Sequence, residues 1–235
     1  MKNEILLKRL TELYKTMDAD TVECIEKALA KNAIPAGTGI FVWECAALIR
    51  DIKEEIRQET AKASGKGTQR KALQRILSHA KTGCYGKDYM LFPWIQNGKQ
   101  WFCSGHHLVG LNEPMDWEKY PMQIDYPQAD RLIIKSSTPI ELPDIAALKA
   151  YIKIQKAQKV KEIKYSFGFK VFDAQLLLDV MEALPGAKAY DNGNKYHGMY
   201  LESEDGVAMV LPVRPESGDE IPSPCHKPSE RTSGW

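Results

Sequence analysis

The 235-residue chain has no apolar run approaching the ~20 residues that a membrane span requires. Its first residues, Met1-Lys2-Asn3-Glu4, lead at once into an amphipathic pattern, so no secretory leader is read there. Cysteine is sparse and odd in number, with Cys24, Cys45, Cys84, Cys103 and Cys225 far apart. Reduced thiols in a cytoplasmic protein are the simplest reading of that number and spacing. No Gly-rich phosphate loop is present, because Gly37 and Gly39 lack the lysine and hydroxyl residues that would follow. A strong charge of one sign is also missing, since 32 Lys+Arg face 31 Asp+Glu. The balance excludes a uniformly basic nucleic-acid binder.

The near-zero total conceals blocks. Residues 61–110 carry 8 basic and 1 acidic residue, and residues 145–170 carry 7 and 1. The intervening segment 111–144 has 3 basic and 7 acidic residues, and 171–235 has 5 and 11. Separated basic blocks that converge in a fold make a local positive field. Each block alone is equally consistent with a solvated face.

Hydrophobic periodicity predicts helices over 3–14, 19–30, the later part of 41–57, and 69–80. The AKASGKG stretch, Ala61 to Gly67, is the best candidate boundary in the first half. Short strands follow around Tyr89–Phe92, Trp94–Ile95, Gln100–Ser104 and Leu108–Leu111, with Asn97-Gly98 as a hairpin turn and Trp94 and Trp101 packing across it. Asp144 caps a helix to about Gln158. Residues 161–171 alternate apolar and polar, which predicts one half-buried strand. Asp173 caps a helix over 174–184, whose Asp179 and Glu182 are read as its wet side. Three short strands end near Val213, so the last unit reads β-α-β-β-β. Beyond Arg214, Pro, Ser, Glu and Lys dominate, which predicts a flexible tail over 215–235.

Residues 167–184, from Phe167-Gly168-Phe169-Lys170 to Met181-Glu182-Ala183-Leu184, resemble the last crossover of a bacterial DNA polymerase sliding clamp. Residues 199–214 do so too, ending in Val210-Leu211-Pro212-Val213-Arg214 where that family ends in a similar strand. A weaker echo covers 69–111, including Ser104-Gly105-His106-His107-Leu108. The resemblance implies an α+β fold of clamp-like βαβββ units, with helices towards DNA and sheets outside. It divides the chain into a helical N-terminal region (1–65), a clamp-like domain (66–214) with an insertion at about 112–160, and the tail.

The implied function is a non-catalytic DNA replication accessory protein that holds double-stranded DNA by its backbone. Arg70, Lys71 and Arg75 on one helix, and Lys149, Lys153, Lys156 and Lys159 on another, are the implied DNA contacts. The resemblance further implies a pocket for DNA polymerase or clamp-loader peptides, formed by Leu178, Val210, Leu211, Pro212, Val213 and Arg214. It also implies a homo-oligomer, and neither cofactor nor metal. The alternatives are a protein-interaction module that does not encircle DNA, and a soluble α+β protein of another role. Cys103, His106 and His107 come nearest to a metal or nucleophile set, but lack the paired ligands or the orienting third group that either chemistry needs.

Overall fold

The computed structural model describes residues 40–82, 88–120, 124–167, 170–191, 193–194 and 196–213, together with Leu7, Lys8 and Glu12. Of residues 40–45, 81, 82, 88, 89 and 167 only the backbone course is described. The helices expected over 3–14 and 19–30, and the tail, lie outside the described residues apart from helical Leu7, Lys8 and Glu12.

Helix α1 (Ile40–Ala63) forms because Ala46, Ile49 and Ile52 recur at helical spacing and are buried together. It ends where Gly65 takes a positive φ of 77° and donates its N–H to the Lys62 carbonyl. Helix α2 (Gly67–Thr82) starts two residues later and packs back on α1. The small, polar Ala61–Gly67 stretch therefore holds the last residues of α1, a tight turn at Ser64–Lys66 and the first residue of α2, with Arg70 of α2 paired to Glu54 of α1 across it. Small residues and glycine mark a linker and a tight turn alike, which is why composition alone does not separate them.

Strands β1 (Trp94–Gln96), β2 (Lys99–Cys103) and β3 (His107–Leu111) form an antiparallel meander. Its first turn has Asn97 and Gly98 at φ 52° and 75°, as a primed hairpin turn requires, and pairs Trp94 with Trp101. A short helix α3 (Ala129–Leu132) and strand β4 (Thr138–Ile140) precede helix α4 (Ile145–Ala157). The Asp144 side chain accepts a hydrogen bond from the Ala147 N–H and so caps α4.

The alternating stretch 161–171 is not one strand. It supplies β5 (Lys164–Phe167) and β6 (Lys170–Asp173), paired antiparallel as a separate two-stranded sheet. The register sets Tyr165 opposite Phe172, and both are buried. Period-two alternation serves two short strands as well as one long one, so it does not locate the reversal that the pairing of Phe167 with Lys170 requires. Helix α5 (Ala174–Ala183) follows with Asp173 accepting from the Gln175 and Leu176 N–H groups. Strands β7 (Lys188–Asp191), β8 (Met199–Ser203) and β9 (Gly206–Val210) complete the fold.

Among the described residues the fold is α+β, with a seven-stranded antiparallel sheet in the order β1-β2-β3-β9-β8-β7-β4. Two α-β-β-β units, α2 with β1–β3 and α5 with β7–β9, are joined where β3 pairs with β9. Val109 faces Ala208 at the middle of that pairing. The sequence shows no repeat here, because the repetition is of topology and not of residues. Gly206 permits the junction: a Cβ on it would lie 2.0 Å from the Gly110 carbonyl oxygen. Phe102, Val109, Leu111, Leu201, Ala208 and Val210 point to one face of the sheet, where α2, α4 and α5 cover them. Trp94, Trp101, Cys103 and Leu108 form a smaller cluster with Ala129 of α3. The expected insertion, about 112–160, thus contributes edge strand β4 and the covering helix α4. Among the described residues no helix is long and apolar enough to cross a membrane.

Candidate functional site

Helix α5 lies at the centre of the helical layer. Every residue from Leu176 to Leu184 is buried, including Asp179 at 0% and Glu182 at 7% exposure. The expectation that these carboxylates form a wet side is therefore corrected. Helix α2 flanks α5 on one side and α4 on the other, and each brings cations to it. Gln175, Asp179 and Glu182 recur at spacings of four and three and share one face of α5. Arg75 and His79, four apart on α2, reach this face, as does Lys149 of α4.

Arg75 Nε donates to Asp179 Oδ1 at 2.6 Å, and its Nη2 donates to Glu182 Oε2. Lys149 Nζ lies 2.6 Å from Glu182 Oε1. Gln175 Nε2 donates to Asp179 Oδ1 at 3.0 Å and receives Lys156 Nζ at its own Oε1 at 3.2 Å. His79 Nε2 stands 3.4 Å from Asp179 Oδ2. Burial alone would raise the Asp179 pKa, but the His79 and Arg75 contacts outweigh it and hold this carboxyl below its ordinary value. Burial likewise works against the Arg75 charge, and the two carboxylates overcome it and raise the Arg75 pKa.

A neutral buried network adjoins this cluster. His107 Nδ1 lies 2.6 Å from Ser104 Oγ, and its Nε2 lies 3.1 Å from the Leu176 carbonyl. A carbonyl only accepts, so Nε2 carries the proton and the Ser104 hydroxyl donates to Nδ1. Burial pushes the His107 pKa down to about 4. With both ring nitrogens engaged, this histidine is a structural element of the interface between β3 and α5. Cys103 beside it is buried and its thiol pKa is raised by that burial, the opposite of an activated nucleophile. His106 is exposed. Among the described residues no group of three His, Cys, Asp or Glu side chains is placed to hold a metal ion.

The seven lysines and arginines expected to face DNA separate into three environments. Arg70 is 2% exposed and is an interior residue, which corrects its reading as a surface contact. Its Nη2 pairs with Glu54 at 2.8 Å, its Nη1 donates to the Asp116 carbonyl at 2.7 Å, and its guanidinium stacks 4.2 Å from the Trp117 ring centroid. Arg75 and Lys149 are held by the α5 carboxylates. Lys71, Lys153, Lys156 and Lys159 are exposed and have no ion-pair partner among the described residues. Lys149, Lys153 and Lys156 lie along one flank of α4, and Lys71 lies one turn from Arg75 on α2.

The expected peptide pocket is not open where it was placed. Leu178 and Val210 are core residues at 5% and 0% exposure. Leu211, Pro212 and Val213 are half-buried, and the chain here is tied down by the Leu211 N–H to the His106 carbonyl and the Val213 N–H to the Val171 carbonyl. Arg214 lies outside the described residues. A cleft of about 380 Å³ lies elsewhere, beside β1, lined by Trp94, Trp117, Tyr120 and Tyr126 among others. Trp101 is fully buried under the sheet, so it and Trp94 do not form a platform for bases.

The carboxylate cluster was missed by sequence reasoning. A signal for it existed: the apolar residues of α5 run all the way round the helix, which marks a helix covered on every side. Compared with protein-family models, curated proteins and solved structures, the chain matches none of them.

Proposed function

We propose that this protein is a non-catalytic replication accessory that holds duplex DNA by its backbone, using the outer surface of α2 and α4. The observation that carries this reading is the set of exposed lysines: Lys71 on α2, Lys153 and Lys156 on α4, and Lys159, which lies past the end of α4 at a φ of 59° and not on the helix as expected. Arg75 and Lys149 lie in the same surface, but their charge is balanced by Asp179 and Glu182. Lysines on long stems neutralise phosphate without fixing a register, which suits a sequence-independent grip. The arrangement of two α-β-β-β units with helices on one face of a shared sheet supports the clamp-like reading. One such unit pair gives a one-sided contact rather than a ring.

The test is duplex binding at two salt concentrations. Four neutralised phosphates give a slope of log K against log salt of about −3.6. Replacing all four lysines by alanine removes binding while leaving the fold. Absent or salt-independent binding by the unmodified chain overturns the reading.

A second reading, a protein-interaction module that does not encircle DNA, is favoured by one observation. Arg70, Arg75 and Lys149 are consumed by internal partners, which leaves a modest basic surface. Binding to replication proteins without salt-sensitive DNA affinity would identify this second reading.

A further inference from the structure

Helices α4 and α5 run antiparallel where they meet, and their polar contacts join Lys149 to Glu182 and Lys156 to Gln175. Two lysines on one flank of α4, seven residues apart, therefore meet different partners on α5. Lys149 Nζ lies 2.6 Å from a carboxylate oxygen, and Lys156 Nζ lies 3.2 Å from an amide oxygen. The lysines are alike, and the α5 side chains beneath them differ by one charge. Lys153 stands between the two on the same flank and has no ion-pair partner among the described residues.

That difference governs what each lysine can give to an outside anion. Lys156 leaves only a neutral hydrogen bond when it turns to a phosphate, and Gln175 is half-buried, so water replaces the contact. Lys149 leaves behind Glu182, which is 7% exposed, with Arg75 as its other cation. Arg75 is already shared with Asp179, whose remaining charge contact is His79. One guanidinium then stands against two buried carboxylates, an arrangement that surroundings poor in water penalise.

We propose that the α5 residues at 175 and 182 select which α4 lysines grip DNA: Gln175 leaves Lys156 available, and Glu182 withholds Lys149. This inference rests on the DNA reading and deepens it. The strength of the basic flank is then set by the helix beneath it as much as by the lysines themselves.

Duplex binding by the full chain over a range of salt concentrations tests it, with exchanges made on α5. Glu182→Gln keeps the volume and an acceptor for Arg75, and frees Lys149. The expected complex is several-fold tighter, and its slope of log K against log salt steepens by about 0.9, the value of one further phosphate. The gain disappears when Lys149→Ala is added, because it runs through that lysine. Gln175→Glu does the reverse. It weakens binding several-fold and makes the slope shallower by about 0.9, and adding Lys156→Ala then subtracts nothing further. Position 175 is half-buried, so this variant carries the test if Glu182→Gln does not fold. Asp130→Asn changes the net charge as Glu182→Gln does, but beside the small cluster on the opposite face of the sheet, and binds like the parent.

Folded α5 variants that bind like the parent overturn the proposal. So does a gain in Glu182→Gln that survives Lys149→Ala, or one that Asp130→Asn reproduces, since either marks a general effect of net charge. Absence of duplex binding by the unmodified chain overturns the DNA reading itself, before any variant is compared.

Discussion

Arg75 and Lys149, one from each basic block of the chain, bind the two oxygens of the same Glu182 carboxylate. The two blocks therefore do share a surface. Their meeting point is neutral, because Asp179 and Glu182 together offset the two cations. What remains positive lies around this hub, at Lys71, Lys153, Lys156 and Lys159.

Removing Arg75 leaves Asp179 fully buried with less compensation. A completely buried pair loses 3–5 kcal/mol on such a truncation, and the partial exposure of Arg75 reduces this to roughly 2–3 kcal/mol. Arg75→Ala is expected to lower the urea midpoint accordingly. Asp179→Asn in the same chain should recover part of the loss, a coupling that a double-mutant cycle measures directly.

His107 makes stability depend on pH in a definite window. The unfolded chain takes up a proton here below about 6.5, whereas the folded chain resists until about 4. The unfolded state binds more protons between these values, so stability falls as pH drops through that window. For a group buried this deeply the loss is on the order of 3 kcal/mol. His107→Gln keeps a donor for the Leu176 carbonyl and should flatten the slope of unfolding free energy between pH 6.5 and 4. Asp179 acts at lower pH. Its folded-state pKa is depressed, so its contribution is present above the ordinary carboxyl value of about 3.9 and is lost as pH falls through the folded one.

Gly206→Ala places a methyl group against the backbone of Gly110. Forcing atoms into filled space costs about 1–3 kcal/mol when side chains yield, and a carbonyl in a paired strand yields less. The expected result is a loss at the upper end of that range or above. Hydrogen exchange should show the damage concentrated at Val109 and Ala208, where β3 and β9 pair.

Arginines and lysines of the first basic block should respond differently. Lys71→Ala weakens duplex binding several-fold and reduces the salt slope by about one, with little change in melting temperature. Arg70→Lys breaks a planar contact with Trp117 and the fork to Glu54 and the Asp116 carbonyl. It should lower stability by about 2 kcal/mol, in keeping with a buried charge losing hydrogen bonds. A DNA-binding defect in Arg70→Lys without a stability defect would contradict the interior position.

Local rules located much of this fold. Asn97-Gly98, Asp144 and Asp173 mark their turn and caps because each acts on backbone groups within three residues. The three strands after α5 were legible for the same reason, through short alternating runs between turn residues. The hairpin hidden in 161–171 is a local failure, since one alternation fits one strand or two, and the failures at the candidate site are nonlocal. Arg70 reads as a surface cation until Glu54 and Trp117 are brought over it, and Asp179 reads as wet until α2 and α4 cover it. Nothing near Leu211 and Val213 indicates that they are bonded to His106 and Val171. Burial of a charged residue depends on what arrives from elsewhere, and that information is not in its neighbours.

The pairing of β3 with β9 sets an order of events during synthesis. A growing chain that has emerged through Leu111 has its first meander but lacks the strand that covers β3. That edge offers unpaired backbone groups to any other strand until Val210 has left the ribosome. The sheet is thus completed by its last strand, and the waiting interval is when a neighbouring nascent chain can substitute its own β9. Slower translation across 112–205 lengthens that exposure, so the yield of correctly closed sheet becomes a kinetic quantity set by how soon the second unit follows the first.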